Sequence, residues 1–236
     1  MSIFAELDVF YDERTRTAAM NMALDEALLE NASKSSVRFY RWDHPALSFG
    51  YFGKFFDVEN HSRERDIVRR WTGGGIVFHG EDLTYSILIP AGDRAFGESS
   101  MSIYEKVHNA ICVALSRGGQ RAELAGVPAL NSRPALANLR RGRRSTLNAQ
   151  CFVNPVRSDV LLNGQKIAGA AQRRTRRGLL QQGSIQNVEL FSDFEMSLAA
   201  ELSENCREQI ISDSVWDRAQ EIAEQKYATA AWLRRR

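Results

Sequence analysis

Apolar positions first recur at helical spacing over residues 17–32, where Met20, Leu24, Ala27 and Leu28 fall on one face. The pattern then shortens to that of strands. Val37 to Tyr40 and Ala46 to Phe49 read as short strands around Asp43 and Pro45. The stretch from Ile67 to Pro90 reads as strand, glycine loop, strand, turn and strand, with Gly80, Glu81 and Asp82 as the turn. A second helix is predicted over 102–117. Ser102 and Glu105 have capping-box spacing, Val107, Ile111, Ala114 and Leu115 share a face, and Gly118-Gly119 closes it. Residues 120–150 carry no clear period and are expected to form a long mobile loop. Val160 to Leu162, Ile167 to Ala171 and Leu179 to Ile185 predict further strands, and 192–206 and 214–232 further helices. A central sheet with helices before, within and after it predicts an α+β (mixed α/β) fold: one domain over 1–236, its mixed or antiparallel sheet flanked by helices.

Composition narrows the class without naming a function. With 44% apolar and 25% charged residues, the 236-residue chain has the makeup of a folded globular protein. It has no apolar run of membrane-spanning length, and its first residues carry early acids and no apolar core of a secretory signal. The expectation is a cytoplasmic protein with no membrane partner. Net charge is only +2, but Arg140, Arg141, Arg143 and Arg144 cluster, as do Arg173, Arg174, Arg176 and Arg177. Either run alone reads as a solvated loop; two runs around the segments below favour an acidic partner surface. No helix-turn-helix, zinc-finger or RNA-binding pattern accompanies them, so no nucleic-acid partner is expected. Cys112, Cys151 and Cys206 are widely spaced, which argues against a disulfide framework or a metal site. Cys112 reads as a small core residue.

Three segments can carry chemistry. In the first, Arg69-Arg70-Trp71-Thr72-Gly73-Gly74-Gly75 runs on to His79. Three glycines in a row cost chain entropy, and their use is positive φ or a very close neighbour: phosphate, an acyl chain or another strand. The segment is neither a Walker A loop nor a dinucleotide fingerprint. His79 alone reads as a hydrogen-bonded structural histidine. In the second, Asn163-Gly164 is a hairpin signal, followed by Lys166 and the small residues Ala168, Gly169, Ala170 and Ala171. Small side chains leave a groove, and a lysine at its mouth can hold a carbonyl or carboxylate oxygen. Taken alone, Lys166 reads as a solvent-facing hairpin lysine. The third is Cys151-Phe152, a thiol that nearby positive charge would activate. Taken alone it reads as a buried apolar residue.

Together these segments resemble the lipoate-protein ligase and octanoyltransferase family, related in fold to the biotin protein ligases. Arg69-Arg70-x-Thr72-Gly73-Gly74-Gly75-x-Val77-x-His79, followed by Leu83-Thr84-Tyr85-Ser86, is similar to the family's arginine–glycine segment. Lys166-Ile167-x-Gly169-x-Ala171-Gln172-Arg173 is similar to its lysine segment, and Leu180-Gln181-Gln182-Gly183-Ser184-Ile185 to the one after it. Leu47-Ser48-Phe49-Gly50-Tyr51-Phe52 resembles the strand before the glycine loop. Two positions depart from the pattern: Ala170 stands where the family usually has Ser, and Gln182 where it usually has His. The arginine-rich stretch 133–148 is a further departure.

The resemblance implies transfer of an octanoyl or lipoyl group to a lysine of a lipoyl carrier domain. Cys151-Phe152 with Pro155 resembles the cysteine-dependent octanoyltransferases, which implies octanoyl-acyl carrier protein as donor and no cofactor. On that reading Cys151 and Lys166 are the catalytic pair. Arg70, Thr72, Gly73, Gly74, Gly75, His79, Tyr85, Gly169, Ala170 and Ala171 bind the acyl group and substrate. The alternative is an ATP- and Mg-dependent ligase of free lipoate, in which the glycine loop and Lys166 meet an acyl-adenylate and Cys151 is incidental. A second alternative is a catalytically degenerate member that only binds an acyl group or a carrier.

Overall fold

The computed structural model describes residues 2–126 and 155–235. Cys151, the arginines at 140–144 and most of the stretch expected to be a loop lie outside the described residues. The elements run β1 (Leu7–Tyr11), α1 (Ala18–Asn31), β2 (Ser36–Tyr40), β3 (Ala46–Phe49), β4 (Asp66–Arg69), β5 (Val77–His79), β6 (Leu83–Pro90) and α2 (Ser100–Arg117). They continue with β7 (Ala122–Leu124), β8 (Val160–Leu162), β9 (Gln165–Arg174), β10 (Gly178–Ile185), α3 (Phe194–Leu202), β11 (Cys206–Glu208), α4 (Asp213–Ile222) and α5 (Ala230–Leu233).

Among the described residues, eight strands form one mixed sheet in the order β11-β1-β2-β6-β10-β9-β8-β7. The β11-β1-β2 edge is parallel and the remainder antiparallel. A smaller sheet, β4-β3-β5, stands apart from it. Strand alternation gives the large sheet two different faces. Tyr85 and Ile87 of β6 point into a core with Ile103, Val107 and Ile111 of α2 and Leu198 of α3. Leu88 of β6 and Leu180 of β10 point to the other side, among Leu24 and Ala27 of α1 and Ala219 of α4. This is the α+β fold expected, with a mixed sheet between helices.

Helix α1 begins at Thr17, whose hydroxyl accepts the Met20 N–H at 3.3 Å. The start of α2 differs from the expectation. Its cap is Ser99, accepting the Ser102 N–H at 3.1 Å, while the Ser102 hydroxyl donates to Glu98 at 2.6 Å. A serine one turn earlier takes the capping role because the helix gains a turn by starting there. The helix expected over 192–206 stops at Leu202. Ser203 turns extended and its hydroxyl accepts the Asn205 N–H at 3.1 Å, releasing Cys206 into β11 beside β1. The segment expected as one helix over 214–232 is α4, a π-helical turn Ala223–Tyr227 and α5, which restarts where Thr229 accepts the Trp232 N–H at 3.1 Å. Cys112 packs against the α2 core as expected. Among the described residues no helix is long and apolar enough to cross a membrane.

Candidate active site

The small sheet lies against the α1 face of the large sheet, and a slot of about 400 Å³, mouth included, separates them. Ser48, Arg70, Gly74, Val77 and His79 form one wall; Tyr40, Thr84, Ala170, Ala171, Gln182 and Ser184 form the other, with Met22 of α1 and Trp42 completing it. Two positions keep the slot open. Gly74 has φ +86°, and a Cβ there would stand 3.1 Å from both the Ala171 Cβ and Arg70 Nη2. Ala171 itself is the smallest side chain that still faces the loop. Of the three glycines expected to take positive φ, only Gly74 does so. Gly73 and Gly75 instead turn their carbonyls to Arg70, whose Nη2 donates to them at 3.0 and 2.8 Å.

Arg70 begins a relay of buried polar groups. Its Nη1 donates to the Ser48 hydroxyl at 2.6 Å, and that hydroxyl meets His79 Nε2 at 2.7 Å. His79 Nδ1 meets Asp82 Oδ2 at 2.8 Å, and Asp82 also accepts from Thr84, Ser184 and the Gly80 N–H. Since Arg70 only donates, Ser48 must donate onward, which fixes Nε2 as acceptor and Nδ1–H as donor. Burial lowers the His79 pKa against the pull of Asp82, in keeping with a neutral ring. Burial also opposes ionisation of Asp82, yet His79 and the other donors outweigh it and hold that carboxyl down at about 2. Trp42 stacks on the imidazole at 4.0 Å and donates to Thr84 at 2.8 Å. His79 is thus hydrogen-bonded at both ring nitrogens and set in the slot wall.

A second buried hub lies at the slot's base. Asp25 of α1 accepts from Arg38 at 2.9 Å, Tyr40 at 3.1 Å, Ser86 at 2.5 Å and Gln182 at 2.7 Å. Gln182 in turn accepts the Thr72 hydroxyl at 2.8 Å. Thr72 thus reaches the slot through Gln182, the position that departs from the family pattern. Sequence reading missed Asp25, Asp82 and Ser48. Acids inside a helix or a turn read as solvated, and only the register of β6 and β10 shows that these are enclosed.

Lys166 is not solvent-facing. Its side chain is 2% exposed and its ammonium lies 2.7 Å from Asp159 Oδ2, itself fully buried. The cause is a β-bulge: Val160 pairs with Ala168 but Leu161 pairs with Lys166, so Ile167 is an extra residue. The bulge breaks the alternation and lays the lysine stem over Gly169, where a Cβ would stand 2.6 Å from Lys166 Cε. Asp159 also accepts from Tyr104 at 2.6 Å and from the Val156 N–H at 2.7 Å, and Tyr104 accepts the Ala170 N–H at 3.2 Å. Lys166 and Gly169 form this cluster up the strand from the slot, whose wall continues in Ala170 and Ala171.

Tyr85 was expected in the acyl site and is not in the slot. It is the β6 residue between Thr84 and Ser86, so alternation sends it to the opposite face, where its hydroxyl meets His108 Nε2 at 3.0 Å. The structure therefore brings together Arg70, Gly74, His79, Ala170 and Ala171 directly, and Thr72 through Gln182. Cys151 lies outside the described residues.

The architecture is that of the lipoate-protein ligase catalytic fold. Lipoate-protein ligase A bound with ATP superposes with a TM-score of 0.72 at 22% identity, covering 99% of this chain and 98% of that one. The bipartite lipoate protein ligase of Thermoplasma acidophilum gives 0.70 at 20% identity, over 97% and 95%. Sequence takes the assignment further. The chain belongs to the lipoyl protein ligase A/B catalytic domain family, matched over residues 17–226. It is 34% identical over 206 residues to octanoyltransferase LipM of Oceanobacillus iheyensis, covering 83% of this chain and 70% of that protein. It is 35% identical over 212 residues to octanoyltransferase LipM of Geobacillus kaustophilus, covering 86% and 73%.

Proposed function

We propose that the protein is an octanoyltransferase that moves an octanoyl group from the thioester of an acyl carrier protein to a lysine of a lipoyl carrier domain, through Cys151 and without a cofactor. The observation that carries this reading is the likeness, at 34–35% identity over more than four fifths of the chain, to proteins named octanoyltransferase. The site supports it. The slot between Gly74 and Ala171 is narrow and walled in part by Met22, Trp42 and Val77, as a straight acyl chain requires. Burying a chain of that length at ~0.8 kcal/mol per CH₂ supplies much of the donor affinity.

In the first step the Cys151 thiolate attacks the thioester carbonyl, the C–S bond to the carrier breaks, and the carrier leaves as a thiol after taking a proton. In the second, the neutral amine of the carrier-domain lysine attacks the acyl-cysteine, forming the amide and returning the Cys151 thiolate as the lysine nitrogen gives up a proton. Thioester to amide is downhill, so no nucleotide is consumed. Lys166 supplies fixed positive charge for thiolate and oxyanion. Asp159 orients it, and the Arg70–Ser48–His79–Asp82 relay holds the glycine loop at the acyl chain.

The test is intact-protein mass spectrometry after mixing with octanoyl-acyl carrier protein, without ATP, beside Cys151→Ala. An octanoyl adduct on the parent alone, discharged by a lipoyl domain, is the expected result. Modification of the lipoyl domain only with ATP and free acid, unaffected by Cys151→Ala, would replace this reading with a ligase.

A further inference from the structure

Beside the slot mouth stands a group of cations and aromatic rings that the reaction above does not use. Arg173 is two residues along β9 from Ala171 and therefore on the same face of the strand. Its guanidinium lies 4.8 Å from the Tyr51 ring and 4.9 Å from the Trp71 ring. Arg235 lies 4.9 Å from Tyr51 and 5.5 Å from Trp232. Lys226 sits 4.5 Å from Trp232 and is paired with Glu26 at 2.5 Å.

Neither Arg173 nor Arg235 forms an ion pair among the described residues; the contacts of both guanidinium groups are to ring faces. The cations also crowd one another. Burial lowers the Lys226 pKa, and Arg173 adds to the fall against Glu26; burial and Arg235 do the same to Arg69. Glu26 offsets Lys226, but no carboxylate pairs with Arg173 or Arg235 among the described residues, and the surface that relieves these two is an acidic one. Phe52, 86% exposed and edge-on to Tyr51 at 5.0 Å, adds an apolar anchor at the same rim. Bases of a nucleic acid need open ring faces to stack on, and here cations cover the faces of Tyr51, Trp71 and Trp232.

We propose that this rim, centred on Arg173, Tyr51 and Arg235, is the docking surface for the lipoyl carrier domain, which meets it with a carboxylate-bearing face and so delivers its lysine to the slot. The inference rests on the carrier-modification reading. The lipoyl domain is the occupant because transferase and ligase readings alike require it at this mouth.

The experiment measures binding, which needs no acyl group and no Cys151, so a failure of the transfer chemistry leaves it interpretable. The unmodified lipoyl domain is titrated by calorimetry into the parent, R173E/R235E, R173E, the milder R173Q, and R121E at the distant β7 edge as the charge-matched control for R173E. Circular dichroism verifies folding. Expected are a tenfold or greater loss of affinity for R173E/R235E, smaller losses for R173E and R173Q, and none for R121E. Raising ionic strength from about 0.05 to about 0.5 M weakens the parent and levels it with the double variant. Parent-like affinity of a folded R173E/R235E, or salt-insensitive binding, would overturn the proposal. So would unchanged lipoyl-domain affinity beside lost acylation from octanoyl-acyl carrier protein, which would assign the rim to the donor.

Discussion

The ammonium of Lys166 and the carboxylate of Asp159 meet at 2.7 Å with their side chains 2% and 0% exposed. Such a pair contributes little net stability, because both ions lost their water, but removing one partner takes away the charge that offset the other. Asp159→Asn is expected to cost about 3–5 kcal/mol of unfolding free energy by denaturant titration. Lys166→Met with Asp159→Leu is expected to recover only part of that loss, because Tyr104 and the Val156 N–H lose their acceptor, while remaining inactive. A double variant less stable than either single would contradict a simple buried pair. Tyr104→Phe removes both a donor to Asp159 and the acceptor of the Ala170 N–H, so it should lower kcat for octanoyl transfer several-fold.

A methyl group at Gly74 tests the slot directly. It would stand 3.1 Å from Ala171 and from Arg70 in a backbone with φ +86°. Gly74→Ala narrows the slot by roughly a methylene, worth ~0.8 kcal/mol or about fourfold in KM for octanoyl donors. Shorter acyl thioesters should be less affected. At Gly73 a Cβ meets nothing within 4 Å, so Gly73→Ala is the control and should leave KM unchanged. Steady-state kinetics with hexanoyl and octanoyl thioesters decides the matter.

Acid should loosen the molecule through its buried histidines. His108 donates from Nδ1 to the Ser158 carbonyl at 2.6 Å, accepts from Tyr85, and burial lowers its pKa from 6.5 to about 4. The unfolded chain binds the proton first, so stability is fully present above pH 6.5 and is lost as pH falls toward about 4. The difference amounts to about 3 kcal/mol for this one residue. His79, lowered in the same direction, adds to the slope. Denaturant midpoints between pH 8 and 4 should fall steeply for the parent and more shallowly for His108→Gln.

Much of this architecture was legible in the residues because apolar spacing and glycine signals are local. The strands Ala46–Phe49, Leu83–Pro90 and Gly178–Ile185 and the start of α1 follow from patterns within a few residues. What was not legible depends on partners far away in sequence. Strand β11 is three exposed residues whose extended state comes from pairing with β1. Lys166 read as exposed because a hairpin lysine usually is; one extra residue opposite β8 reverses that, and no local signal marks a bulge. Tyr85 read as a site residue from its place in a motif, but one step of strand alternation separates the motif's slot-facing residues from its core residues.

Gln182 turns a departure from the family pattern into a prediction. Its amide accepts the Thr72 hydroxyl at 2.8 Å and donates to Asp25 at 2.7 Å, with Met22 Sδ a weaker acceptor at 3.3 Å. A neutral histidine, the family's usual residue here, also has one acceptor and one donor on the same ring. The two side chains can therefore serve the same link between the glycine loop and α1. Gln182→His is expected to keep kcat/KM within several-fold of the parent at pH 8 and to add a loss below about pH 6, where a protonated ring can no longer accept from Thr72. Gln182→Leu fills similar space but leaves Thr72 and one bond to Asp25 unsatisfied, at a cost of about 1–3 kcal/mol. Its melting temperature should fall and its activity should drop at every pH. Kinetics and thermal melts of both variants across pH 5.5–8.5 test this link. Equal activity of Gln182→Leu and parent would show that the amide's hydrogen bonds are not what the position supplies.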